Sequence, residues 1–165
     1  MTGARLIATF FGAGLLRPGP GTWGALAALP VAYLLHLAGG FAALALGTLA
    51  VVAIGWWATA AATRGLDDPD LSEIVIDEVA GMWLALWPVS LGAAMQGVDI
   101  LALWPGWITA FVAFRAFDIL KPGPVGWADT MHTPLGVMLD DVIAGALAGL
   151  VVAVAAVVFH AGLGL

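Results

Sequence analysis

Residues Pro18 to Thr63 read PGPGTWGALAALPVAYLLHLAGGFAALALGTLAVVAIGWWATAAAT and contain no Asp, Glu, Lys or Arg. A helix rises 1.5 Å per residue, so about 20 residues cross the roughly 30 Å of bilayer hydrocarbon. This run of 46 residues is too long for one crossing. Gly39-Gly40 supplies a hinge, and two spans are expected near 22–38 and 41–63. Other charge-free runs, Val79–Val98, Ile100–Phe114 and Val142–Leu165, predict further spans near 79–97, 100–120 and 136–160. The expected fold is all-α, a polytopic membrane bundle of about five transmembrane helices in a single domain over 1–165. Arg5 to Leu16 is too short to cross and is expected as an interfacial or re-entrant helix. A membrane β-barrel would need alternating strands of about ten residues, which these Ala-, Leu- and Gly-rich runs do not provide.

Composition supports the same class. Of 165 residues, 62% are hydrophobic and 10% charged, against about 25% charged in a soluble domain. Five cations against eleven acids give a net charge of −6, which speaks against a nucleic-acid partner. Cysteine is absent, so thiol nucleophiles, thiolate zinc sites and cysteine-held iron–sulfur clusters are excluded.

With five spans, Arg5, Arg17, Arg64, Arg115 and Lys121 share one end of the bundle, and the positive-inside rule makes that end cytoplasmic. The acids agree, with only Asp99 in an opposite turn. Trp104 and Trp107 are expected at the outer interface, Trp23 and Trp127 at the inner one.

The polar residues of the inner end form several groups. On a helix, Glu73 and Asp77 are i,i+4 and stack on one face, with Glu78 about 100° round. Like charges at that spacing repel, so a cation is expected among them, and carboxylate oxygens suit Mg²⁺, Ca²⁺ or Mn²⁺. The alternative is an acidic first turn favoured by the helix macrodipole. Asp67, Asp68 and Asp70 read as loop residues. Arg115, Asp118 and Lys121, three apart, lie on adjoining parts of a helical face. Two cations there could clamp a phosphate while the carboxylate holds a metal, or the group is a helix-end salt bridge with a snorkelling lysine.

Asp140 and Asp141 open the last span. Adjacent aspartates cannot both face lipid, so at least one points inward, with first-turn dipole stabilisation as the alternative. Gly145 and Gly149 allow close approach of another helix, in this bundle or in a homo-oligomer. Thr22, after Pro18-Gly-Pro-Gly, can cap the first span, whose N-terminus could receive an anion, with a plain turn as the favoured alternative. His36 and His160 read as packing or interfacial residues, and His132 lies in the 121–135 loop. Ser72 and Ser90 lack the glycine elbow of a serine hydrolase.

Four of these pieces, in order, resemble the phosphatidylglycerophosphatase A family of bacterial inner-membrane lipid phosphatases. They are Pro20-Gly21-Thr22-Trp23-Gly24, Ile76-Asp77-Glu78-x-x-Gly81, Phe114-Arg115-x-Phe-Asp118-x-x-Lys121-Pro122, and Gly136-Val-Met-Leu-Asp140-Asp141 with Ala144-Gly145. The resemblance spans essentially the whole chain. It implies Mg²⁺-dependent removal of the terminal phosphate from a phospholipid substrate, phosphatidylglycerophosphate, at the cytoplasmic face of the inner membrane. On that reading Asp77, Glu78, Asp140 and Asp141 hold one or two Mg²⁺ ions, and Asp118 is a further ligand or the general base. Arg115 and Lys121 neutralise phosphate oxygens, Thr22 contributes to substrate binding, and Glu73 supports the ligands or acts as base.

A transporter would place its acids near the midplane, often in inverted repeats, whereas these gather at one end. A related branch acting on a soluble nucleotide-like phosphate fits the hydrophobicity poorly. A lipid phosphotransferase would carry an Asp-Gly-x-x-Ala-Arg signature, which is missing.

Topology is directly testable. A reporter fused after Leu165 should read periplasm and one in the 64–72 loop cytoplasm. A cytoplasmic C-terminus would mean an even number of spans and would break the one-sided arrangement.

Overall fold

A computed structural model describes residues 2–163, without the side chains of His160 and Leu163. The expected role of His160 and the side of the bundle on which Leu165 ends lie outside the described residues. The helices are α1 (Gly3–Ala8), α2 (Pro20–Ala62), α3 (Ile76–Ala85), α4 (Trp87–Gln96), α5 (Trp104–Leu120), α6 (Pro124–Asp129) and α7 (Pro134–Leu163). Short 3₁₀ turns lie at Ala13–Leu15 and Ile100–Leu103.

The long apolar run breaks at its glycine pair. Gly39 (φ −165°, ψ 27°) and Gly40 (φ 62°, ψ −150°) leave the helical region, and the positive φ of Gly40 is one that glycine adopts without a Cβ clash. The two arms fold back on each other. A side chain at Gly47 would crowd Leu35 of the first arm and touch Trp83 of α3. Trp83 donates Nε1–H to the carbonyl of Ala28 at 2.9 Å, tying α3 to the first arm as well. Helices α3 and α4 continue one another around Leu86, where Pro88 has no N–H for the preceding turn. Four helical stretches, Pro20–Ala62, Ile76–Gln96, Ile100–Leu120 and Pro134–Phe159, are long and apolar enough to cross a membrane. Folding of α2 at its hinge makes the first of them two arms, which gives the five expected crossings.

Three boundaries differ from expectation. The N-terminal segment is helical only over six residues, because Phe10 and Phe11 turn into the left-handed region (φ 43° and 55°). The N–H of Val75 donates to the carbonyl of Ala8 at 2.9 Å, so tertiary docking replaces a longer helix. The third span starts at Ile76, which leaves Glu73 outside the helix. The 121–135 loop contains α6, opened by Pro124 in its first turn, where a missing N–H costs nothing.

Packing inverts the soluble pattern. Ala25, Ala28, Ala80, Ala85, Ala144 and Ala148 are fully buried, while Leu34, Leu46, Leu150, Val157 and Phe159 face outward. Lipid is as apolar as leucine, so helices associate through small residues that let backbones approach. The closest approach joins α3 to α7. A Cβ on Gly145 would overlap the backbone of Gly81, and one on Gly81 would overlap Phe114 of α5 and the carbonyl of Asp141. The Gly145/Gly149 pair is therefore used inside this bundle, with Gly149 against Leu84 and Pro88. The inward-facing Trp87 and His36 find partners within the spans, as apolar surroundings demand. Trp87 Nε1 donates to Thr48 Oγ1 at 3.1 Å, and His36 Nδ1 shares a 2.7 Å hydrogen bond with the Ser90 hydroxyl.

Gly145→Val should therefore be costly. With backbone on the facing side, the helices must separate, and overpacking of this kind costs about 1–3 kcal/mol. Thermal melting in detergent should drop by several degrees, whereas Gly162→Val, with open space around it, should melt normally. Equal melting of the two would show that the α3–α7 contact is dispensable.

Candidate metal and phosphate site

Asp77 sits four residues before Gly81 and Asp141 four residues before Gly145, one helical turn from the contact between those glycines. Asp118 follows Phe114 by the same interval, and Phe114 is fully buried against Gly81. The close approach of α3, α5 and α7 thereby brings three carboxylates to one end of the bundle. They line a cavity of about 80 Å³ together with Glu78, Asp140, Asp129, Asp70, Lys121 and His132.

Within it, Asp77, Glu78 and Asp141 each offer a carboxylate oxygen, all within 4.8 Å of one another. Asp77 is 7% exposed and Asp141 3%. Asp141 Oδ1 and Glu78 Oε2 are buried without a hydrogen-bond partner. Orphaned carboxylate oxygens in a buried position are costly, and like-charged groups this close call for a cation. Oxygen ligands about 2.1 Å from Mg²⁺ stand at most about 4.2 Å apart across its octahedron, so small side-chain shifts suffice to close the trio on such an ion. The donor set fits a hard divalent cation.

Asp140 plays a different part from the one its sequence position suggests. Its Oδ2 accepts from Lys121 Nζ at 2.7 Å and its Oδ1 from the backbone N–H of Asp141 at 2.9 Å, so both oxygens are engaged. It lines the cavity without belonging to the trio. Helix α7 begins at Pro134, which puts Asp140 and Asp141 beyond its first turn. Dipole stabilisation has faded there, so the first-turn alternative for these acids does not hold.

Lys121 also departs from the expected face. Helix α5 ends at Leu120, Lys121 caps it with φ 46°, and its ammonium turns to Asp129 (2.5 Å) and Asp140 rather than to Asp118. Burial opposes its charge, but the bonds to Asp129 and Asp140 outweigh that and hold its pKa above the usual lysine range. Arg115 pairs with Asp118, as the salt-bridge alternative had it, and does not line the cavity. Its buried Nε has no partner.

Glu73 is not brought to the cluster. Its expected i,i+4 stack on Asp77 fails because the helix starts three residues later, and Arg5 of α1 holds it at 2.6 Å. Thr22 is not the cap of α2. Gly19 occupies that position with no side-chain bond, and Thr22 lies in the first turn, away from the cavity lining. Gly21 carries the neighbouring contact instead, since a Cβ there would collide with the Glu78 carboxylate and approach Arg115.

Asp70 and Asp129 line the cavity although sequence reasoning assigned neither to it. Asp70 lies in an Asp-Pro-rich loop whose composition predicts only a turn. Asp129, eight residues beyond Lys121, is reachable because α6 folds the chain back, and no local pattern announces that.

The family model described as Phosphatidylglycerophosphatase A matches residues 6–156. A phosphatidylglycerophosphatase A of Haemophilus influenzae is 34% identical over 89% of this chain and 85% of its own. One of Escherichia coli is 36% identical over 86% of this chain and 77% of its own. A Bacteroides thetaiotaomicron protein, provisionally named a phosphatidylinositol-3-phosphatase, is 36% identical over 91% of both chains. No solved structure matches significantly.

The Arg115–Asp118 pair can be tested by exchange. If it is scaffolding alone, Arg115→Asp with Asp118→Arg should retain activity. Asp118 lines the acidic cavity, so the exchange should place a cation beside the carboxylate trio, where a metal ion would have to bind. Unit charges about 4 Å apart interact by roughly 4 kcal/mol at an effective dielectric of 20. Phosphate release by the double variant should be as low as that of either single variant.

Proposed function

We propose, since this chain belongs to the phosphatidylglycerophosphatase A family, that it hydrolyses the terminal phosphomonoester of phosphatidylglycerophosphate, yielding phosphatidylglycerol and inorganic phosphate. The observation that carries the reading is the buried carboxylate trio with orphaned oxygens, opening to a cavity at one end of a membrane bundle. The positive-inside pattern supports placing that end at the cytoplasmic face of the bacterial inner membrane.

Asp77, Glu78 and Asp141 would hold Mg²⁺. When bound, the ion would polarise a phosphate oxygen and lower the pKa of a bound water. Asp118 accepts from Arg115 through Oδ2, which leaves Oδ1 to take a proton from attacking water. Arg115 positions Asp118, and Lys121 puts a fixed positive charge in the cavity wall for the equatorial phosphate oxygens. Asp129 and Asp140 hold that ammonium in place. Glu73, held by Arg5, contributes to the docking of α1 and has no part in the proton transfer.

Purified protein should release phosphate from phosphatidylglycerophosphate in detergent micelles, lose that activity in EDTA and regain it with Mg²⁺. Phosphatidylinositol 3-phosphate, offered in parallel, should be a poorer substrate. Asp77→Asn and Asp141→Asn should each lower kcat/KM at least about 100-fold, equivalent to about 2.7 kcal/mol of transition-state stabilisation. Melting without metal should hold or rise, because each change removes a buried like charge. Near-normal rates in both variants, with Mg²⁺ still essential, would put the metal elsewhere.

A further inference from the structure

A second cavity, about 260 Å³, adjoins the acidic one and shares Leu71 and Ile74 with it as a common wall. Its charge is of the opposite sign. Arg5 and Arg64 line it with Glu73 as the sole acid, whereas the first cavity sets seven carboxylates against Lys121. Arg5 Nη2 donates to Glu73 at 2.6 Å, and a guanidinium has further donors to offer. Arg64 makes no ion pair among the described residues, so its charge is not taken up by a carboxylate there. Thr9 and apolar side chains complete the lining, a surface suited to an anion carried on an apolar body.

The substrate of the reaction proposed above carries two anionic groups. One is the terminal phosphomonoester, and the other, a three-carbon bridge away, is the phosphodiester to the diacylglycerol. Seven carboxylates would repel the second group from any place beside the first unless cations receive it nearby. We propose that the Arg5–Arg64 cavity is a subsite for a lipid phosphodiester. This inference rests on that functional reading for its substrate, and the diester can come from the substrate itself or from a neighbouring anionic phospholipid. Arginine suits the role because its planar donor fork matches two phosphate oxygens at once.

The test compares wild type with Arg64→Gln, Arg64→Lys and Arg5→Gln in neutral detergent. Hydrolysis is measured on phosphatidylglycerophosphate and on phosphatidic acid, a phosphomonoester without a diester. Binding of phosphatidylglycerol, which has the diester alone, is measured by native mass spectrometry. If the substrate's own diester is read, Arg64→Gln lowers the kcat/KM ratio of the first substrate over the second at least tenfold, chiefly through KM. Arg64→Lys should restore part of it. If a neighbouring lipid is read, the ratio holds but phosphatidylglycerol binding weakens at least fivefold. An unchanged ratio with unchanged binding overturns the subsite, as does an equal loss on both substrates with binding intact. Arg64 carries the test even if Arg5→Gln loosens α1. Should wild type hydrolyse neither substrate, the functional reading fails, and phosphatidylglycerol binding still decides the subsite.

Discussion

The contact between Gly81 and Gly145 sets the spacing on which the polar end of the molecule depends. Two helices meet backbone to backbone there, and the acids one turn away inherit that separation. Asp77 and Asp141 come together because nothing larger than hydrogen stands between their helices. Phe114 seals the third side of the same contact and fixes the helix that carries Asp118. In lipid, where apolar residues gain nothing by leaving their surroundings, van der Waals contact of this kind is the main source of helix association. Stability and chemistry thus draw on the same few residues.

The polar end separates charge into compartments. One cavity collects carboxylates and the adjacent one collects arginines, divided by the segment that includes Leu71 and Ile74. Mixed together, these groups would neutralise one another in salt bridges. Where pairs do form, they fix geometry. Lys121 bridges Asp129 of α6 to Asp140 of α7, and Arg5 secures α1 to the segment ahead of α3. Among the described residues, the trio of Asp77, Glu78 and Asp141 has no such ion pair of its own, and the nearby Arg115 is engaged with Asp118.

The bundle was legible in the sequence because its determinants are local. Charge-free length fixes the number of crossings, and a glycine pair marks the hinge. Asp77, Glu78 and Asp141 were legible because a carboxylate bordering an apolar span is costly against lipid and has to turn into the bundle. The parts that were not legible depend on tertiary contact. Glu73 satisfies helical spacing to Asp77, but docking of α1 through Ala8 and Arg5 holds its segment out of the helix. Lys121 keeps a spacing of three from Asp118 in sequence but leaves the helix at that residue. Asp129 is brought in by α6, a six-residue helix with no apolar periodicity to reveal it.

The Pro20-Gly21-Thr22-Trp23-Gly24 stretch shows how a motif can be recognised for one reason and used for another. Read as sequence, a glycine-rich turn before a helix suggests an anion site at the helix N-terminus. The anion found there is the protein's own. Gly21 leaves room for the Glu78 carboxylate, and Gly24 leaves room for Val75, the residue that caps α3. Negative charge is favoured at that end of α2, so the helix dipole acts on a member of the carboxylate trio. A side chain at Gly24 would meet the Val75 Cβ and push α2 away from the start of α3, and one at Gly21 would displace the Glu78 carboxylate itself. The motif therefore bears on the reaction through the placement of Asp77 and Glu78, and its threonine need not touch the substrate.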